Sequence, residues 1–319
     1  MKKVGKGILV FLLVLLVSSP LILIGWGRSM LHDSEVPKRE ELIPSSPQKR
    51  VLAIFPHPDD EVTVAGTVMG LKAAGHQVTL VCLTRGEKGN AANIPSEQEL
   101  ARLRTGEMQQ SAQILGVASL IQLDYADGGI DELGMDSLIK VVHALIQDQK
   151  PDVLVSYDSK VGLYGHSDHR LTGEAVELVF LKHRGALGFV PKQLFQVTLS
   201  KKQIEVALQL SAGFQKNYPK EPGKGLPTPD FSIGTQPYFS RTLQVMQAHQ
   251  TQKKVLQDLM PYHDFIKQYN RCKFILTASF ARDSTTKNIG RAASTEESLR
   301  NRKRARSAVP AVNPFASSP

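Results

Sequence analysis

Four short apolar runs decide what this chain can fold into. RVLAIF (50–55), HQVTLVCLT (76–84), SLIQLDY (119–125) and DVLVSYD (152–158) each have the length of a strand. Each is followed by a helix-like stretch: VTVAGTVMGLKAAG (62–75), SEQELARLRTGEMQQSAQILG (96–116), LGMDSLIKVVHALIQDQ (133–149), and a segment from about Leu171 to His183. Antiparallel neighbours need only a tight turn, whereas parallel neighbours need a crossover long enough to hold a helix. The alternation therefore predicts an α/β fold, a mainly parallel sheet covered by helices on both faces in a three-layer sandwich. Ser96 and Glu99 read as a capping box opening the second helix, and Gly116 as its stop. Further on, KQLFQVTLS (192–200) reads as a strand, 201–238 is mixed, and 238–260 reads as one helix.

In such folds ligands sit beyond the carboxyl ends of the strands, near a switch in strand order. The polar clusters of this chain all fall there. FPHPDDEV (55–62) follows the first strand, TRGEKG (84–89) the second, DYADGG (124–129) the third and YGHSDH (164–169) the fourth.

These clusters hold the elements of a hydrolytic metal site. Zinc in a hydrolase takes three ligands from His, Asp or Glu and leaves one position open. His57 and Asp60, three apart at a strand–helix turn, can reach one point, and His169 at the start of the next rim helix is the expected third ligand. One Zn2+ per chain is implied. Asp59, beside a ligand but free of the metal, is the expected general base. His166, protonated, would stabilise an oxyanion or protonate a leaving amine. Asp168 would hold an imidazole in the required tautomer. The bland alternative makes Asp59 or Asp60 a helix cap, and leaves His57, His166 and His169 without a purpose. Glu61 has no firmer role than a favourable place in a first helical turn. A phosphoesterase would want a second metal and more ligands, and a non-catalytic carbohydrate-binding protein would be expected to lack a ligand or the base.

PHPDDE, TRGE, the Arg104–Glu107 helix ending in ILGV, DYADG, GHSDHR and the late AHQTQ (248–252) together resemble the PIG-L/LmbE family of zinc-dependent N-acetylglucosaminyl deacetylases, over roughly residues 50–275. The resemblance implies a Rossmann-like sheet and hydrolysis of the N-acetyl group of a GlcNAc-containing small molecule, lipid or glycan. It implies metal on His57, Asp60 and His169, Asp59 as base, and roles for His166 and Asp168. It also implies substrate-side roles for Glu87, Arg104 and Asp127. Two other readings stay open: Arg104–Glu107 as a surface i,i+3 ion pair, and Asp127 as a turn residue. His249 either lines the site or is structural. Ser167 stands where many bacterial members have Pro.

The ends differ from the middle. The net charge of +9 is carried by Lys2, Lys3, Lys6 and Arg28 and by residues 281–319, leaving 29–280 close to neutral. That distribution lacks the footprint of a nucleic-acid-binding face. Residues 7–27 are uncharged, about the ~20 needed to span a bilayer, with Trp26 at the far end. They read as an uncleaved membrane anchor, with a cleaved signal peptide as the alternative. The preceding lysines favour an extracytoplasmic catalytic domain. The expected organisation is an anchor over 1–28, a linker over 29–49, a deacetylase domain over 50–280 and a basic disordered tail over 281–319. Of the two cysteines, Cys82 reads as a buried strand residue, with a Cys82–Cys272 disulfide left open.

Overall fold

The computed structural model describes residues 33–219, 226–258 and 280–283, all within one compact unit that ends at Asp283. The uncharged run 7–27, Cys272 and the tail beyond Asp283 lie outside the described residues. Among the described residues no helix is long and apolar enough to cross a membrane.

The strands are β1 (Lys38–Arg39), β2 (Arg50–Phe55), β3 (Gln77–Thr84), β4 (Ser119–Tyr125), β5 (Val153–Tyr157), β6 (Gln193–Thr198), β7 (Ser232–Ile233) and β8 (Phe280–Asp283). They form one sheet in the order β1-β7-β8-β6-β5-β2-β3-β4. The five from β6 to β4 run parallel, and β8 adds to β6 antiparallel. Strand β2 pairs with β3 on one side and β5 on the other. The order therefore reverses between β2 and β5, which is where an open sheet leaves a crevice.

The helices are α1 (Ala65–Ala73), α2 (Glu97–Leu115), α3 (Ile130–Leu133), α4 (Met135–Gln149), α5 (Gly162–Gly165), α6 (Ser167–His183), α7 (Lys201–Leu210), α8 (Ala212–Asn217), α9 (Phe239–Ala248) and α10 (Lys253–Asp258). Successive side chains of the strands enter opposite layers. Val51, Ala53 and Phe55, with Val78, Leu80 and Cys82, pack with Val68, Met69, Met108, Leu115 and Val245 of α1, α2 and α9. Leu52, Ile54, Val81, Leu83 and Leu154 pack on the other face with Leu138, Val142, Ile146, Val176, Val179 and Phe180 of α4 and α6. Each fully buried Leu or Ile contributes about 1.5–3 kcal/mol, which accounts for apolar runs without a polar face. The Cys82 thiol is buried and donates to the Thr84 carbonyl at 3.3 Å.

Strands β2 and β4 keep the ends expected for them. Helix α2 starts where the Ser96 hydroxyl accepts the Glu99 N–H and stops at left-handed Gly116. Three regions differ. Within 29–49, β1 pairs with β7 and Val36, Leu42 and Ile43 are buried, so the end of the expected linker belongs to the domain. Strand β8 carries pairing to Asp283, past the expected start of the tail. The single helix expected over 238–260 breaks at His249, which has φ −86° and ψ 68°.

Candidate metal centre and active site

The neighbouring strands β2 and β5 deliver the two histidine-bearing loops to one place. After β2 the chain turns sharply at His57–Asp60. The Asp60 carboxylate accepts the His57 backbone N–H at 2.8 Å, and Asp59 is left-handed at φ 104°. A non-glycine residue held there costs about 1–3 kcal/mol and persists only where its surroundings over-determine it. Asp59 stands at the N-cap position of the 3-10 turn Asp60–Val64, but its side chain caps nothing.

After β5, Asp158 organises the second loop. Its carboxylate accepts the backbone N–H groups of Lys160, Val161 and Leu163. Gly162, at φ +65°, lets this loop pass under α6. A Cβ there would lie 2.7 Å from the His169 Cβ and 2.3 Å from the Arg170 nitrogen.

His57 Nδ1 and His169 Nε2 are 3.2 Å apart. Asp60 Oδ1 is 3.1 Å from His169 Nε2, and its Oδ2 is 3.5 Å from His57 Nδ1. Four ligands at about 2.0–2.1 Å in a tetrahedron stand roughly 3.3 Å apart, so these separations fit one ion. All three residues are buried. The nitrogens of His57, His166 and His169 also come within 4.8 Å of one another. Asp60 is the closer third donor, with its oxygens 3.1 and 3.5 Å from the two imidazole nitrogens.

The far edge of His57 meets two carboxylates. Its Nε2 is 3.1 Å from Asp127 Oδ1 and 3.2 Å from Asp168 Oδ2. That arrangement fixes the tautomer and turns Nδ1 toward the centre, as outer carboxylates do for metal-bound histidines. Burial disfavours a charged His57, but Asp127, Asp168 and Asp60 outweigh it and raise its pKa well above the usual value. Burial would likewise raise Asp60, yet His169 and His57 hold it well below the carboxylate range. His169, pushed down to about 3 by burial, is neutral and has a lone pair to give. Three carboxylates around one buried imidazole make a place that favours a cation.

Asp59 is pushed up to about 6. Burial is the main cause, the Arg104 guanidinium opposes it, and the Asp60 charge adds to it. Arg104 does not form the surface ion pair with Glu107 that one reading expected. It is buried and donates to Asp59 Oδ2 at 3.0 Å, to the Gly86 carbonyl at 2.7 Å and to the Pro58 carbonyl. Gly86, at φ +70°, leaves room for it, because a Cβ there would lie 2.5 Å from the guanidinium carbon. Glu107 instead accepts from the Thr251 N–H and hydroxyl.

Asp127 is also turned inward. Besides facing His57, it accepts the Lys88 and Gly89 N–H groups at 3.0 and 3.1 Å. Glu87 Oε1 accepts the Asp127 N–H at 2.7 Å. These contacts tie the loops after β3 and β4 together and hold Asp127 against the His57 ring. His166 differs from the charged form expected of it. Burial first, then His57, lowers its pKa. With Nδ1 accepting, the neutral ring carries its proton on Nε2.

Sequence reasoning passed over Tyr157 and Ser111. The Tyr157 hydroxyl donates to Asp60 Oδ1 at 3.0 Å, and its ring stacks on His169 at 4.4 Å. Ser111 donates to Glu61 Oε1. His249, which had two readings, is fully buried with Nε2 2.6 Å from Glu61 Oε1. Glu61 thus has a role beyond the first helical turn. Tyr157 alone had a signal, as the last residue of a strand at the rim.

Residues 52–180, from β2 into α6, match the family described as PIG-L, GlcNAc-PI de-N-acetylase. A probable N-acetyl-alpha-D-glucosaminyl L-malate deacetylase 2 of Bacillus anthracis is 29% identical over 69% of this chain and 90% of its own length. A 1D-myo-inositol 2-acetamido-2-deoxy-alpha-D-glucopyranoside deacetylase of Salinispora arenicola is 30% identical over 54% of this chain and 63% of its own. A diacetylchitobiose deacetylase of Thermococcus kodakarensis is 35% identical over 41% of this chain and 48% of its own. This chain thus spans about half to two-thirds of the last two. The solved N,N'-diacetylchitobiose deacetylase of Pyrococcus horikoshii shares the fold, with a TM-score of 0.52 and 21% identity over 76% of this chain and 86% of that one. Residues 52–180, which carry both histidine-bearing loops, are thus similar to the PIG-L family, and the relatives that match around them are named as deacetylases.

Proposed function

We propose that the chain is a zinc-dependent deacetylase that cleaves the acetamide of an N-acetylglucosaminyl conjugate into acetate and a free amine. The carrying observation is the approach of His57 Nδ1, Asp60 and His169 Nε2 to within 3.1–3.5 Å of one another, with Asp59 on the same turn. The relatives named above support the substrate class, since each acts on an acetamido sugar. A set of two imidazoles and one carboxylate suits zinc, and an ion held there supplies Lewis acidity.

The chain's own groups carry the protons. Asp59, with Oδ2 steadied by Arg104, takes a proton from the water that attacks the amide carbon. A carboxyl near 6 is ionised at neutral pH, and once protonated it is acidic enough to return that proton to the departing nitrogen. His166 donates from neutral Nε2–H to the oxygen that becomes negative. The C–N bond then breaks, leaving acetate and the amine. Asp168 and Asp127 hold His57, and Tyr157 holds Asp60.

The uncharged run 7–27 and the lysines before it support a single-pass membrane anchor with the catalytic domain outside the cytoplasm. Alkaline extraction and protease protection test that placement. The activity is tested by acetate release from a panel of GlcNAc conjugates carrying lipid, inositol, malate or a second sugar. Acetate from at least one is expected, and none from any contradicts the reading.

A further inference from the structure

The segment AHQTQ (248–252) is where the second half of the chain grips the first motif. Helix α9 stops at Ala248, and His249, Thr251 and Gln252 turn into the interior. Each reaches a different element. His249 Nε2 meets Glu61 Oε1 at 2.6 Å. Thr251 donates to Glu107 of α2 at 2.8 Å from its N–H and 2.7 Å from its hydroxyl. Gln252 donates to the Gly89 carbonyl, in the loop whose N–H groups bind Asp127.

The His249 contact leads to the proposed base. Glu61 is fully buried. Its Oε1 accepts from His249 and from the Ser111 hydroxyl, and its Oε2 accepts the backbone N–H of Asp59 at 3.0 Å. That N–H belongs to the left-handed residue of the turn. A carboxylate free to rotate could not hold such a conformation, whereas one gripped on its other oxygen can. His249 and Ser111 supply the grip from α2 and from the end of α9. The contact spans 188 positions of sequence.

We propose that His249, acting through Glu61, is a positioning residue for Asp59: it locks the carboxylate that holds the Asp59 turn and so aims the base. The proposal rests on the reading of Asp59 as the base. A histidine that merely filled the interior would affect stability and leave the folded enzyme's turnover alone.

The experiment is a double-mutant cycle in the full chain, with kcat, KM, bound metal and melting temperature measured for H249A, S111A, D59N, H249A/D59N and S111A/D59N. Misplacing a catalytic group by about 1 Å costs about 10²-fold in rate. H249A is therefore expected to lose roughly 10–100-fold in kcat, with KM and metal content unchanged. S111A should show the same pattern more weakly. Neither change should lower the residual rate further once Asp59 is Asn. If H249A does not fold, S111A with and without D59N carries the test. Unchanged kcat in the folded single variants overturns the proposal, as does a loss that persists in full beside D59N. A wild-type rate in D59N itself would overturn the base assignment, and the positioning role with it.

Discussion

The Arg104 guanidinium lies 3.0 Å from Asp59 Oδ2, pairing a buried cation with the first carboxylate of the PHPDDE turn. The same guanidinium holds two backbone carbonyls, of Gly86 and Pro58. It therefore holds the Asp59 carboxylate, the proposed base, lowers its basicity and joins the loops after β2 and β3.

Arg104→Lys keeps the charge but loses the fork that meets three acceptors. The variant should fold, with kcat reduced at least 10-fold and KM changed little. Arg104→Ala leaves the Asp59 charge and two carbonyls buried without a partner, and should cost about 3–5 kcal/mol of stability. Steady-state kinetics and denaturant titration check the two outcomes.

Asp168→Ala should weaken metal binding by about 10–100-fold, since the ring it orients is His57. Competition with a chelator measures this. Asp59→Asn should leave metal affinity near wild type and lower kcat by about 10²–10⁴-fold. His169→Ala should lose both.

His166→Ala should lower kcat by about 10²–10³-fold, the usual effect of removing one oxyanion donor. Burial and His57 lower the pKa of His166, so the neutral ring is the active form. The wild-type pH–kcat profile should accordingly show no decline as pH rises through 6.5, the ordinary histidine value. A requirement for the charged ring would produce that decline.

The Glu61–His249 pair should make stability depend on pH in a defined sense. Burial works against a charged His249, but Glu61 outweighs it and raises the pKa. Its contribution is complete below 6.5 and is lost as pH rises through the raised value. Burial would raise Glu61, but His249 and Ser111 lower it. Its contribution is present above 4.5 and is lost on acidification through the lowered value. The stability difference between wild type and H249A should thus be greatest between these values. It should shrink as pH rises through the raised His249 value and as pH falls through the lowered Glu61 value, as measured by urea unfolding.

Local signals carried much of the fold. The near-continuous apolar runs of β2 and β3 follow from burial on both faces, and the limits of α2 follow from Ser96 and Gly116. The donor residues were legible because His57, Asp60 and His169 lie in short motifs at strand ends. Their supports were not. Arg104 and Asp59 are 45 positions apart, and an arginine on an amphipathic helix has the sequence pattern of a surface residue. His249 interrupts a segment with good helical periodicity, because three side chains of AHQTQ are drawn into the interior. Asp127 has the composition of a turn and acts on His57 only because β4 and β5 lie on opposite sides of β2–β3.

The central claim is one metal ion on His57, Asp60 and His169 serving hydrolysis by Asp59. Its most direct measurement is a zinc titration of the metal-free full-length protein, reading bound metal and acetate release from a responsive GlcNAc conjugate together. The account predicts that rate and occupancy rise in step and saturate at one ion per chain, and that D59N binds the same single ion without recovering the rate. Full activity before any metal is added, or saturation only at two ions per chain, would contradict it.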